Sequence, residues 1–116
     1  MTAEEFVVQY LNSELPVPVS GDIPAPRPQR FVTVEQTGSR FAEFLYHPTI
    51  AVQSWAESRV EAARLNALVK NAMTKITNND EVSSCTLSND YNHPDLDSRT
   101  ARYQAIFSIT YLQEEI

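Results

Sequence analysis

The chain has 116 residues, of which 42% are hydrophobic, and a formal net charge of −6 at pH 7. Because domains commonly contain about 100–200 residues, this length predicts one domain over residues 1–116. Two glycines and a single cysteine exclude a glycine-rich phosphate loop, an intrachain disulfide and a cysteine-rich zinc site, and an acidic chain without a basic stripe does not favour nucleic-acid binding.

The first predicted element is a helix at about residues 3–13. Thr2 and Glu5 have the spacing of a capping box, in which each side chain satisfies a free backbone N–H of the other residue. Apolar residues then recur on one helical face, at Phe6, Val7, Tyr10 and Leu11.

Five of the seven prolines lie between Pro16 and Pro28. Proline has no backbone N–H to donate, so this spacing predicts a stiff, extended segment at the edge of a sheet rather than a helix. Two interpretations stay open for it: a simple crossover, or a docking strip for a neighbouring subunit.

Three strands are predicted next. Residues 30–37 alternate between two faces, and Gly38-Ser39 then has the composition of a turn. Residues 41–46 and 49–55 form two further strands, which we expect to be interrupted at His47-Pro48, because a residue that precedes proline is restricted.

The next element is predicted to be a helix that begins at Ser58, where Ser58 and Glu61 have capping-box spacing. Its apolar stripe contains Leu65, Leu68, Val69, Ala72, Met73 and Ile76. Acidic residues near its start and lysines near its end suit the helix dipole, and residues 77–80 are expected to end it.

Residues 82–87 are predicted to form a short strand, and residues 102–112 a longer one with two distinct faces. The polar segment between them, residues 88–100, is long for a loop, so we expect it to be functional or disordered. The order αβββαββ predicts an α+β fold: a mainly antiparallel sheet of four to five strands with two helices packed on one face.

We find no pattern that indicates catalysis or a cofactor. The acidic residues around His93 lack the glycine and the distal Glu of a calcium loop, and they are Asp90, Asp95 and Asp97. We expect His47 to be a turn residue, and Cys85 to be a buried small hydrophobe because nothing near it in sequence would lower its pKa. No catalytic, cofactor-binding or metal residue is therefore predicted.

No run approaches about 18 apolar residues, and no secretory signal begins the chain. We therefore expect no membrane association and a cytosolic, reducing setting.

Three segments together resemble a known family: PAPRPQRFVTVEQTGS, TIAVQSWAESRVEAARLNALVKNAM and HPDLDSRTARYQAIFSITYL. In order and spacing they are similar to the tail terminator, or tail completion, proteins of long-tailed siphophages and prophages, especially actinobacterial ones. The resemblance covers roughly residues 3–112. One departure is Ser39, where such sequences often have a second glycine.

The resemblance implies an α+β structural protein without enzymatic activity or cofactor. Such proteins assemble as a ring, commonly a hexamer, on the end of the tail tube, stop its polymerisation and join it to the head. The implied partners are other copies of the chain, the major tail tube protein and a head-tail neck protein. The implied location is the tail end of the virion, after assembly in the bacterial host cytoplasm.

The acidic residues that give the chain its net charge lie in residues 1–26 and 103–116, around a neutral middle. If these surfaces line the ring, like charge would let DNA pass through without specific binding.

Six charged residues are candidates for contacts with a neighbouring subunit or the tube: Arg27, Arg30, Arg40, Asp95, Asp97 and Arg99. The alternative for each is an ordinary exposed charge. Two other functions stay open: another head-tail neck component, such as a head closure or adaptor protein, and, with less support, a small enzyme with an unrecognised site. An enzyme would require a concave pocket with converging titratable groups.

Overall fold

The computed structural model describes residues 1–112, which form two α-helices and a five-stranded sheet. Helix α1 spans Ala3–Glu14 and helix α2 spans Arg59–Thr74, followed by a 3₁₀ turn at Ile76–Asn78. The strands are β1 (Val19–Ser20), β2 (Phe31–Ala42), β3 (Leu45–Ala56), β4 (Val82–Asn92) and β5 (Ala101–Tyr111). The predicted α+β class and the order αβββαββ are confirmed.

The strands lie in the order β1-β2-β3-β5-β4. Only β1 runs parallel to its neighbour within the described residues, and the other three pairings are antiparallel. The long strands β2 and β3 form one hairpin and β4 and β5 form another. The resulting structure is elongated, with extents of 42 × 23 × 23 Å.

Both helices pack on the same face of the sheet, as predicted. Alternate residues of each strand point to that face, because strand side chains alternate. The core there contains Val7 and Leu11 of α1, Leu65, Val69 and Met73 of α2, and Val34, Val52, Phe107 and Ile109 of the sheet. The Tyr10 hydroxyl also donates a hydrogen bond to the Ala72 carbonyl at 2.7 Å, which joins the two helices.

The predicted capping box is complete at the start of α1, whereas at the start of α2 only the Ser58 half is present and the Glu61 carboxylate pairs with arginines instead. In α1, Glu5 N–H donates to Thr2 Oγ1 at 3.1 Å and Thr2 N–H donates to Glu5 Oε1 at 3.0 Å. In α2, Glu61 N–H donates to Ser58 Oγ at 3.2 Å. The predicted apolar stripe is wrong at Leu68, which is 47% exposed, because the face that meets the sheet carries Asn66 instead.

The proline-rich segment meets the edge of the sheet. Val19–Ser20 pairs in parallel with β2, which agrees with the predicted edge position. The Asn12 side chain binds both backbone groups of Val19, at 2.8 and 3.0 Å, and so occupies hydrogen-bonding groups that an edge strand would otherwise leave free.

The predicted turn at Gly38-Ser39 is wrong. Strand β2 continues through it with a register shift between Gln36 and Gly38, which is the behaviour of a β-bulge. The chain reverses instead at Glu43-Phe44, between the paired residues Ala42 and Leu45.

The predicted break at His47-Pro48 is also wrong. Both residues lie within β3, opposite Arg40 and Ser39 of β2, so His47 is a strand residue rather than a turn residue. On the β5 side, the pairing passes from Tyr46–Tyr111 to Thr49–Ser108. Pro48 therefore lies where the ladder does not need its missing N–H.

Residues 88–92 of the predicted polar loop belong to β4. They pair with β5, for example Tyr91 with Gln104 and Asn92 with Tyr103. Pairing with an apolar strand makes this polar sequence a strand, and it shortens the connection between β4 and β5 to residues 93–100.

Candidate interaction surfaces

Arg27, in the proline-rich segment, reaches the connection between β4 and β5 in its own chain. Its Nη1 donates to Ser98 Oγ at 3.2 Å and to Thr100 Oγ1 at 3.4 Å. The structure thus brings together two groups of predicted interface residues that lie far apart in sequence. We call the surface formed by residues 93–100 and Arg27 the loop end of the molecule.

The loop end is held by its own hydrogen bonds. The Asp95 carboxylate accepts from Ser98 Oγ at 2.5 Å and from the Asp97 N–H at 3.4 Å, and the Ser98 hydrogen bond is the main reason that the pKa of Asp95 lies below its ordinary value. Leu96 is 83% exposed, and Asp97 and Arg99 are also exposed. Arg99 has a φ of 57°. These residues form a protruding surface with an apolar side chain among charges.

Below the loop end, a buried aromatic pair lies on the sheet face opposite the helices. Phe31 and Trp55 stack with ring centroids 5.3 Å apart and planes 10° apart. The guanidinium carbons of Arg27 and Arg102 lie 5.5 and 4.7 Å from the Trp55 ring centroid, which is within cation–π distance. Sequence reasoning missed this cluster, because its residues come from three separate segments.

Arg30 forms ion pairs within its own chain. Its guanidinium donates to both carboxylate oxygens of Glu57, the shortest contact being 2.6 Å. It also lies 3.5 Å from Glu61, which in turn pairs with Arg64 at 2.7 Å. The hydrogen bonds from Arg30 hold the pKa of Glu57 below its ordinary value. This pairing positions the start of α2, and an interface role for Arg30 stays a prediction.

Arg40 lies at the opposite end of the molecule, near the apex of the β2–β3 hairpin, away from the other candidates. We call residues 41–45 the hairpin tip. Its apolar side chains are exposed: Phe41 by 61%, Phe44 by 93% and Leu45 by 38%. The apolar run around Phe41 is the only sequence signal for this tip, and by itself it predicts an ordinary strand.

A third surface is the outer edge of β4. Within residues 1–112 the strand pairs on one side only, with β5. An edge strand of 11 residues without proline or lysine offers free backbone groups to another strand. Its side chains are mostly exposed, and Leu87 is 42% exposed.

The reactive side chains are separated from one another. Burial raises the pKa of the Cys85 thiol to about 11, so the thiol is protonated at neutral pH. His47 Nδ1 lies 3.0 Å from Thr110 Oγ1, and the His93 ring packs edge-on against Tyr91. Among the described residues, no group of three or more His, Cys, Asp or Glu side chains is placed to hold a metal ion.

No protein-family model and no curated protein matches the chain. In the part of the chain that the structure describes, no helix is long and apolar enough to cross a membrane.

Proposed function

We propose that the chain is a structural protein of phage tail assembly, which caps the tail tube as a ring, ends tube polymerisation and forms the surface that joins the tail to the head. Two observations support this proposal. The first is the resemblance of three segments to tail terminator proteins. The second is the distribution of exposed apolar side chains over the surface.

The observation that carries most weight is the position of those side chains. Phe44 at the hairpin tip and Leu96 at the loop end are 93% and 83% exposed. They lie on hairpins at opposite ends of a structure 42 Å long. A subunit in a ring needs contacts on two different sides, since each copy has two neighbours. An open β4 edge adds a third contact surface.

The net charge of −6 suits a ring through which DNA passes. Six such chains would present a surface that repels phosphates wherever the acidic residues face the lumen. We expect the assembled ring to show no retention on DNA at low salt. Tight retention would contradict this part of the proposal.

The function is tested by reconstitution with a major tail tube protein of a long-tailed phage. We expect tubes polymerised in its presence to be shorter, with a ring of this chain at one end in electron micrographs. An acidic protein of similar size serves as the control. Unchanged tube length and bare tube ends would contradict the proposal.

The same assay examines the predicted interface arginines. Arg27→Glu combined with Arg30→Glu is expected to weaken ring formation on the tube, and Lys75→Glu, on the exposed end of α2, is the matched control. Unchanged rings in the double variant would remove both arginines from the interface.

A further inference from the structure

The hairpin tip has a backbone conformation that its sequence does not favour. Glu43 and Phe44 have φ values of 56° and 63°, and they connect Ala42 directly to Leu45. A two-residue hairpin loop with positive φ at both positions favours Asn-Gly, because side chains with a Cβ are strained there. The fold nevertheless holds a phenylalanine at the apex, 93% exposed. We read this as a side chain presented to another molecule.

A shallow groove, wide open to solvent, lies beside α2 and could receive such a side chain. It has a volume of about 370 Å³ and is lined by Arg59, Val60, Ala63, Arg64, Ala67 and Tyr103. Three of the six lining residues, Val60, Ala63 and Ala67, have small apolar side chains, and Val60 is 57% exposed. We call it the α2 groove.

The charges of the two surfaces are complementary. Glu43 lies next to Phe44 at the apex, and Arg59 lies at the rim of the groove. Arg64 at the same rim is already paired with Glu61. Within residues 1–112 neither Glu43 nor Arg59 has an ion-pair partner, since the four ion pairs there involve other residues.

The two surfaces cannot meet within one molecule. The hairpin tip precedes β3 and the α2 groove follows it, and β3 has 12 residues. At about 3.3 Å per residue, this strand separates its ends by roughly 35 Å. The occupant of the groove must therefore come from another molecule.

We propose that the hairpin tip of one copy of this chain docks into the α2 groove of a second copy, with Phe44 entering the groove and Glu43 pairing with Arg59. The contact joins two different surfaces, so each copy keeps a free tip and a free groove. Contacts of this kind close into rings or extend into filaments. That this contact builds a ring rests on the proposed function. The contact itself is argued only from the surfaces of this chain.

Sedimentation velocity of the purified chain over a range of concentrations tests the contact. We expect concentration-dependent association in the natural chain and its loss in Phe44→Asp. Gln9→Asp, which adds the same charge on the exposed side of α1, outside both surfaces, should associate as the natural chain does. A natural chain that stays monomeric throughout, or a Phe44→Asp variant that associates normally, would overturn the proposal.

A mixing experiment identifies the two surfaces. Ala67→Glu places a charge in the groove on the exposed side of α2, and we expect this variant alone to be monomeric, like Phe44→Asp. An equal mixture of the two variants keeps one intact tip and one intact groove, so it should form heterodimers and nothing larger. Failure of the mixture to associate would contradict a tip-to-groove contact.

The ion pair has its own test. Glu43→Arg should weaken association at least several-fold, and the double variant Glu43→Arg/Arg59→Glu should restore it. A double variant weaker than Glu43→Arg would exclude this pairing.

These outcomes separate the contact from the proposed function. Head-to-tail association without any effect on tube length would leave the contact and remove the tail-capping role. If Phe44→Asp forms normal rings on tubes, the tail-capping role is supported and the tip-to-groove contact is excluded.

Discussion

Gln53 of β3 donates a hydrogen bond from its Nε2 to Oε1 of Gln104 on β5, over 2.7 Å. This bond is the centre of a row of side-chain hydrogen bonds that crosses four strands on the face opposite the helices. Trp55 Nε1 donates to Thr33 Oγ1, which donates to Gln53 Oε1, and Gln104 Nε2 donates to the Tyr91 hydroxyl. These hydrogen bonds connect the four strands side by side on the face that no helix covers.

Gln104→Ala should lower the free energy of unfolding by about 1–2 kcal/mol, because it leaves part-buried groups of Gln53 and Tyr91 without partners. Denaturant unfolding measures the change, with Gln9→Ala on the exposed side of α1 as the control. A double-mutant cycle with Gln53→Ala should show coupling between the two glutamines. Strictly additive effects would show that the bond contributes nothing.

Arg102→Ala should lower the free energy of unfolding by about 1–2 kcal/mol. The substitution removes the guanidinium over Trp55 and the hydrogen bond from Arg102 Nε to the His93 carbonyl, 2.7 Å long. Trp55 is the single tryptophan, so its fluorescence should move to longer wavelength as the ring gains contact with water. Arg40→Ala, at the other end of the molecule, should leave the spectrum unchanged. An unshifted spectrum in Arg102→Ala would mean that the arginine does not shield the ring.

The pair of Arg30 and Glu57 predicts a pH dependence. The folded protein holds the pKa of Glu57 below its ordinary value, so the pair stabilises the fold above the ordinary pKa and loses its effect as pH falls through the lowered one. Arg30→Gln should therefore be less stable than the natural chain at pH 7. The difference should disappear in strongly acidic solution, where the carboxyl is protonated in both states.

Thermal unfolding at a series of pH values measures this difference. Lys75→Gln, which removes an exposed cation distant from Glu57, should show no such trend. A difference between Arg30→Gln and the natural chain that stays constant with pH would contradict the ion-pair explanation.

The Cys85 thiol should react slowly with a maleimide. Burial raises its pKa to about 11, and the thiolate is the reactive form. Relative to an unperturbed cysteine, whose pKa is about 8.5, the thiolate fraction at pH 8 is lower by roughly two orders of magnitude. Unfolding in urea should restore the ordinary rate. Fast labelling of the folded protein would show that Cys85 is accessible and ionised.

Replacing Glu43-Phe44 with Asn-Gly should raise the free energy of unfolding by about 1 kcal/mol, because it relieves two positive φ angles with residues that tolerate them. Denaturant unfolding measures the gain, and Leu45→Gly, in the adjacent strand, should be destabilising. A loss of stability in the Asn-Gly variant would mean that the natural turn residues stabilise the hairpin through contacts of their own.

Sequence patterns within a few residues were sufficient to predict the positions of the two helices. The side chains of Thr2, Glu5 and Ser58 each satisfy a backbone N–H three residues away, so the sequence alone determines where both helices begin. The two-faced pattern of β5 was equally local and is confirmed by the burial of Ala105, Phe107 and Ile109. Length, composition and these patterns together determined the α+β class.

The turns and the surfaces were decided by tertiary pairing. Gly38 and Pro48 are turn formers by local preference, yet they lie within strands because β2 and β3 pair across both positions. The polar residues 88–92 form a strand because β5 supplies the partners for their backbone groups. Likewise, Arg27 meets Trp55 and Thr100 only once three distant segments are folded together. Capping and periodicity act within a few residues and can be derived from the sequence, whereas strand register and surface clusters depend on residues that only the fold brings into contact.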